Sequence, residues 1–273
     1  MNLKNIFSIE NEYSDNKKHK VINFCGINIK FKQKYNNKKL LPLTRLYNNY
    51  LSPEGYKYKG NEEELGLGNI EIKLERVKNG GAFEWEDMIV ANKAIGSHFL
   101  NNKKTVVNIG SGVGTFEYYN APICPQVHFL ASEMEKASTK WAIENRNMQN
   151  VTYCDYSIKE ILEKYPQKFD LAISIDVIEH IKDYKAFLDE FVQLSDYAII
   201  ATPNRDRYSD KESLIKPPYI YHTQEFNAGE LYFILKMYYK DVKLYSLPDP
   251  LKQKIVEVGI YSSYEKLIAV CKN

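Results

Sequence analysis

Three glycines at positions 110, 112 and 114 lie just behind the apolar run Val106, Val107 and Ile109, and their spacing can do chemistry. Gly110 permits a tight turn, Gly112 lets a ligand lie against bare backbone, and Gly114 lets the next helix approach its strand. Free amides at that helix's N-terminus then face a carboxylate or a phosphate, although short Gly-rich turns also occur as ordinary connections. A second group is Asp176, Glu179 and His180 in SIDVIEHIKDY. On a helix beginning at Asp176 they occupy i, i+3 and i+4 and share a face. With His222 from IYHTQEF they form four candidate ligands for a divalent cation, and the imidazoles alone are candidates for proton transfer near neutrality. A third group lies in TPNRDRYSDKESLIKPPYIYHTQEF. Arg205 and Arg207 can clamp a phosphate or carboxylate, Tyr208 and Tyr221 can stack on a sugar or ring, and His222 is a second base. Each also fits a solvated loop, but Pro203, Pro217 and Pro218 stiffen the segment.

These groups need a scaffold that brings loops to one edge. Apolar runs predict strands at Val106–Ile109, Val127–Ala131, Val151–Cys154, Phe169–Ile175 and Tyr197–Ala201. Helical patterns follow at Ala137–Asn145, Ile158–Tyr165, Tyr184–Leu194 and Ala228–Tyr239. Such alternation predicts an α/β fold with a parallel sheet covered on both faces. Val242–Ser246 and Leu267–Cys271 have no helix-length pattern between them and suit an antiparallel C-terminal hairpin. Ahead of the glycine turn, AFEWEDMIVANKAIGSHFL suits an amphipathic helix beginning near Gly80-Gly81.

Read together, these features resemble the class I S-adenosylmethionine (SAM) methyltransferases from about Gly80 to Cys271. GxGxG at 110–114 is similar to that family's first motif; the nicotinamide fingerprint GxGxxG would need a glycine where Thr115 stands. The resemblance implies a Rossmann-like, doubly wound, mostly parallel seven-stranded sheet with the antiparallel hairpin, spanning 80–273. It implies SAM as cofactor and S-adenosylhomocysteine as product. Glu133 would take both ribose hydroxyls, Met134 would line the adenine, Asp155 would meet the adenine amino group with Tyr156 beside it, and Asp176 would stand near the methionine end. Asn108 occupies a position where the family usually has an acid, which leaves the contact with the methionine amino group to an amide oxygen or to another acid. DVIEHI is similar to the segment that places a base at the methyl-transfer centre of small-molecule methyltransferases, which gives His180 that role. Asp176, Glu179, His180 and His222 also resemble the metal set of magnesium- or manganese-dependent small-RNA 2′-O-methyltransferases, with Asp in place of the first Glu. Glu84, Trp85 and Glu86 would belong to the pocket wall, although the glutamates equally suit a helix's acidic first turn.

A net charge of +2 provides no polyanion-binding surface, so nucleic acid is not an expected partner. No apolar stretch is long enough to span a membrane, and the first residues lack a signal peptide's apolar region, so the expected location is the cytoplasm. Cys25, Cys124, Cys154 and Cys271 form no CxxC pair and are expected to be reduced thiols. The first twenty or so residues read as frayed. HKVINFCGINIKFKQKY reads as a β-hairpin around Cys25-Gly26 and resembles leader strands of surface-polysaccharide enzymes. Residues 1–79 are thus expected as an extension, a cap or a homodimer contact. The expected reaction is O-methylation of a small polar acceptor: a sugar, or a phosphorylated or nucleotide-linked precursor of a surface polysaccharide. Metal-assisted methylation of a phenol, quinone precursor or natural product is the alternative. A catalytically inactive SAM-binding subunit, supported by Asn108, is the alternative of another class.

Overall fold

The computed structural model describes residues 7–14, 17–24, 27–32, 69–208, 217, 219 and 221–273. The chain divides into two compact units, 1–52 and 53–273. In the first, β1 (Phe7–Ser14), β2 (Lys17–Phe24) and β3 (Ile27–Lys32) form an antiparallel sheet in that order. β2 and β3 pair with Phe24 opposite Ile27, which is the expected hairpin. β1 corrects the expectation of a frayed start: Phe7 and Ile9 pair opposite Phe24 and Ile22.

The second unit begins its described part eleven residues before the predicted domain start, with α1 (Asn69–Lys78), followed by α2 (Glu86–Phe99). An eight-stranded sheet follows, in the order β10-β9-β11-β8-β7-β4-β5-β6. Its parallel part is β4 (Thr105–Ile109), β5 (His128–Ser132), β6 (Val151–Cys154), β7 (Leu171–Ile175) and β8 (Tyr197–Pro203). β9 (Asp241–Ser246) and β11 (Lys266–Lys272) form the expected antiparallel pair. The short β10 (Val256–Val258) on the edge of β9 is the strand the apolar pattern did not reveal. Its three residues carry too little alternation to signal a strand.

Side chains alternate between two cores, as a doubly covered sheet demands. Val107, Leu130, Ala172 and Ile200 face α5 (Ile158–Lys164), α6 (Tyr184–Phe191) and α7 (Ala228–Leu235). Val106, Phe129, Ile173 and Ile199 face α2 and α3 (Thr115–Asn120). Helix starts are set by capping: Glu135 caps α4 (Lys136–Asn145), and Ser157 and Asn227 close capping boxes with Glu160 and Glu230. The order reverses at β4, whose neighbours are β5 and β7, and this opens a crevice at the strands' carboxyl ends. Among the described residues no helix is long and apolar enough to cross a membrane. Cys124, Cys154 and Cys271 are free thiols.

Candidate functional site

The crevice is a cavity of about 1070 Å³ lined by Asn108, Gly110, Ser111, Gly112, Glu133, Met134, Tyr156 and Asp176 on one side and by Glu179, His180, Tyr221 and His222 on the other. The glycine turn fixes the first side. Gly110 has φ +76°, and a Cβ there would lie 2.3 Å from the branched Val177 side chain. Gly114 has φ +73°, and its Cβ would strike the Tyr153 ring at 2.5 Å. Backbone this close admits no side chain, so the turn presents bare peptide to the cavity.

Glu133 stands at the end of β5, where its Oε2 accepts from the Gly112 amide and its Oε1 from the Glu135 amide, both at 2.9 Å. Burial raises its pKa, and these two hydrogen bonds oppose the rise. Each oxygen keeps a second lone pair, so the carboxylate can still receive two hydroxyls. Asn108 Oδ1 and Ser111 Oγ, from residues that line the same cavity, are buried without hydrogen-bond partners among the described residues. Bare backbone, a poised carboxylate and orphaned polar atoms together fit the ribose and methionine ends of SAM. Asn108 directs its Nδ2 to Glu117 Oε1 at 2.9 Å. Glu117 is fully buried, and that burial pushes its pKa up to about 7. An acid therefore does stand behind Asn108, nine residues away in sequence.

Side chains from three segments build the second side. His180 Nδ1 lies 2.8 Å from the Tyr221 carbonyl, which can only accept, so Nδ1 carries the proton and Nε2 has no hydrogen-bond partner among the described residues. Burial lowers the His180 pKa, which favours the neutral ring. His222 Nδ1 meets the buried Glu225 carboxylate at 2.6 Å, and the two imidazole centroids are 4.7 Å apart. Glu179 is fully buried; Thr202 donates to its Oε2 at 2.8 Å, while Oε1 has no partner among the described residues. Ligand atoms of Glu179, His180 and His222 lie within 4.8 Å of one another, close enough to share one cation.

Several sequence expectations need correction. Asp176 does not share a helix face with Glu179: it has φ +55°, the 3-10 turn begins at Ile178, and Lys266 pairs with its carboxylate at 2.5 Å. It lines the cavity but falls outside the cation group. Glu84 does not line the cavity. It is buried against Arg146 at 2.8 Å, Lys73 at 3.4 Å and the Thr115 hydroxyl, tying α1 and the glycine turn together. Burial alone would raise its pKa, but hydrogen bonds from Arg146 and Thr115 and the nearby positive charges hold it below the usual range. Trp85 is at the cavity wall. Arg205 is no clamp: it is buried in an ion pair with Glu230 and donates to the Glu225 carbonyl at 3.1 Å. Arg207 reaches the cavity, but Glu225 at 3.2 Å already engages it. Tyr208 turns to Arg207 and Glu225 and is not a lining residue. Asp155 is exposed in a smaller hollow against α4, whereas Tyr156 borders both spaces. Most of the long loop, 209–216 with 218 and 220, lies outside the described residues.

Lys266 and Glu225 are the functional neighbours that sequence reasoning missed. Lys266 opens β11, which runs antiparallel to β8, so its first residue lands opposite Pro203 at the carboxyl edge. That placement was inferable once the last strand was read as antiparallel.

A model of the methyltransferase domain matches residues 85–236 of the chain. No curated protein matches it in sequence. Among solved structures, the methyltransferase domain of bacterial CtHen1 superposes with a TM-score of 0.52 at 16% identity, over 67% of this chain and all of that one. The plantazolicin methyltransferase BpumL, in complex with S-adenosylhomocysteine, gives 0.54 at 13% identity, over 86% of this chain and 97% of its own. A SAM-dependent methyltransferase from Archaeoglobus fulgidus gives 0.51 at 17%, over 73% and 98%.

Proposed function

The chain belongs to the methyltransferase domain family and is a SAM-dependent methyltransferase, and we propose that it methylates a hydroxyl of a small polar acceptor such as a sugar or a phosphorylated precursor. The observation that carries this reading is one cavity lined both by the glycine turn with Glu133 and by two imidazoles whose Nδ1 atoms are held, by the Tyr221 carbonyl and by Glu225, and whose Nε2 atoms have no backbone partner among the described residues. SAM supplies a methyl group made electrophilic by its sulfonium. Glu133 holds the ribose hydroxyls and the turn leaves room for the cofactor, while Asn108 and Ser111 offer oxygens to its ammonium end. With the cofactor bound, His180 Nε2 would take the proton of the acceptor hydroxyl that receives the methyl group. The Tyr221 carbonyl fixes the tautomer that makes this transfer feasible, and burial, by lowering the ring's pKa, favours its neutral form. Tyr219 and Tyr221 offer aromatic surface to a sugar ring.

One observation favours a second reading of the same centre. Glu179 leaves a buried oxygen without a partner, and Glu225 orients His222 as carboxylates orient metal-bound histidines. Glu179, His180 and His222 would hold a divalent cation, which would lower the pKa of an acceptor hydroxyl. Calorimetry of S-adenosylhomocysteine with the wild type and Glu133→Ala, with and without magnesium or manganese, tests both readings. Binding by the wild type and its loss in the variant are expected. Heat from the metal alone that vanishes in His222→Ala assigns the centre to a cation, and its absence leaves His180 as the base. No cofactor binding under any condition would sink the function.

A further inference from the structure

We propose that Arg76 forms an oxyanion site in the wall of the cavity, for a carboxylate or phosphate carried by one of the two substrates; this rests on the methyltransferase reading of the same cavity. The sequence pointed to Arg205 and Arg207 for such a role, but Glu230 and Glu225 already engage them. Lys73 is committed to Glu84, and Lys266 to Asp176. Arg76 differs from these four. It lines the cavity, and among the described residues no carboxylate pairs with it and its buried Nε and Nη1 have no hydrogen-bond partner.

The geometry holds this guanidinium in place without neutralising it. Its carbon lies 4.1 Å from the centre of the Trp85 ring, so the indole face supports the cation. The stem passes over Gly81, where a Cβ would come within 2.7 Å of Arg76 Cγ. Only a residue without a side chain leaves that path open. Arg76 also acts electrostatically on Tyr219, whose ring lies 4.9 Å from His222, so the arginine and the imidazole centre face one cavity. A buried fork with unmade hydrogen bonds is costly unless something completes it, and a planar guanidinium matches carboxylate and phosphate oxygens in pairs. Two sources offer that chemistry: the methionine carboxylate of the cofactor, and an anionic group on the acceptor.

Calorimetry with three probes separates them: S-adenosylhomocysteine, 5′-methylthioadenosine, which lacks the carboxylate, and inorganic phosphate titrated into the protein. Wild type, Arg76→Gln and Arg76→Lys are compared, with thermal unfolding confirming that each variant folds. If the cofactor carboxylate occupies the site, Arg76→Gln weakens S-adenosylhomocysteine by about tenfold or more and leaves 5′-methylthioadenosine unchanged. If the acceptor supplies the anion, the cofactor product binds as before while phosphate binding to its complex is lost. In either case Arg76→Lys gives an intermediate effect, because it keeps the charge and loses the fork. Changes below twofold for every probe would overturn the site. A wild type that binds phosphate through Arg76 but no S-adenosylhomocysteine would instead fault the methyltransferase reading and spare the anion site.

Discussion

Two buried glutamates, one on each side of the cavity, have nearly the same surroundings and different prospects. Glu117 lies behind the glycine turn and Glu179 beside the imidazoles; both are fully buried, each has one oxygen hydrogen-bonded and one without a partner, and burial pushes both up to about 7. Their partners differ. Asn108, a neutral amide, meets Glu117, whereas a ring nitrogen of each of His180 and His222 lies within 4.8 Å of Glu179. A buried carboxyl facing only an amide is most stable protonated, while one facing two imidazoles can exchange a proton or share a cation. On the proposed function, the cofactor side would thus work mainly through backbone shape, and the acceptor side through side chains whose protonation matters.

The comparison is broken most severely by truncating the imidazoles. His180→Ala and His222→Ala should each lower methyl transfer by roughly 10³-fold, the scale of a lost general base. Affinity for S-adenosylhomocysteine should stay within about twofold, because neither ring belongs to the turn. Parallel measurement of turnover and calorimetric affinity checks this, and a matched loss of both would mean that the two sides are not separable.

Removing the ionisable group behind the turn should alter stability more than chemistry. Glu117 holds its proton up to about 7 when folded, whereas an unfolded glutamate releases it near 4.3. Between those values the folded chain binds more protons than the unfolded one, so its stability falls as pH rises and the penalty is complete above about 7. In Glu117→Gln that part of the pH dependence vanishes. The change in stability from pH 4 to pH 8 should therefore be more favourable in the variant than in the wild type by about 3 kcal/mol. Urea unfolding at both pH values reads it, and an unchanged difference would show that Glu117 is already ionised in the folded chain.

What the sequence disclosed follows the same division. Gly110, Gly112, Gly114 and Glu133 were legible because a turn and the end of the next strand are local features, and a parallel sheet brings strand ends together automatically. Glu179 and His180 were legible as chemistry because they are adjacent. Their partners were not, since Thr202, Tyr221 and Glu225 come from later segments and are chosen by packing. Arg205 shows the converse error: a charged residue after a strand looks free until a helix 25 residues later supplies Glu230. Burial of charge is settled by tertiary contacts, which periodicity does not encode.

Asp155 is the smallest and most discriminating test of that division. Its place after β6 suggests an adenine contact, yet the structure puts its side chain in the hollow against α4, with Tyr156 alone reaching both spaces. An exposed carboxylate outside the cavity has little to lose on neutralisation, so Asp155→Asn should change S-adenosylhomocysteine affinity by less than about twofold. Tyr156→Ala, which removes ring surface from the cavity wall, should cost more in the same titration. If the order is reversed, the cofactor side extends past Tyr156 and is held by a charged side chain as well as by backbone, and the contrast with the acceptor side narrows accordingly.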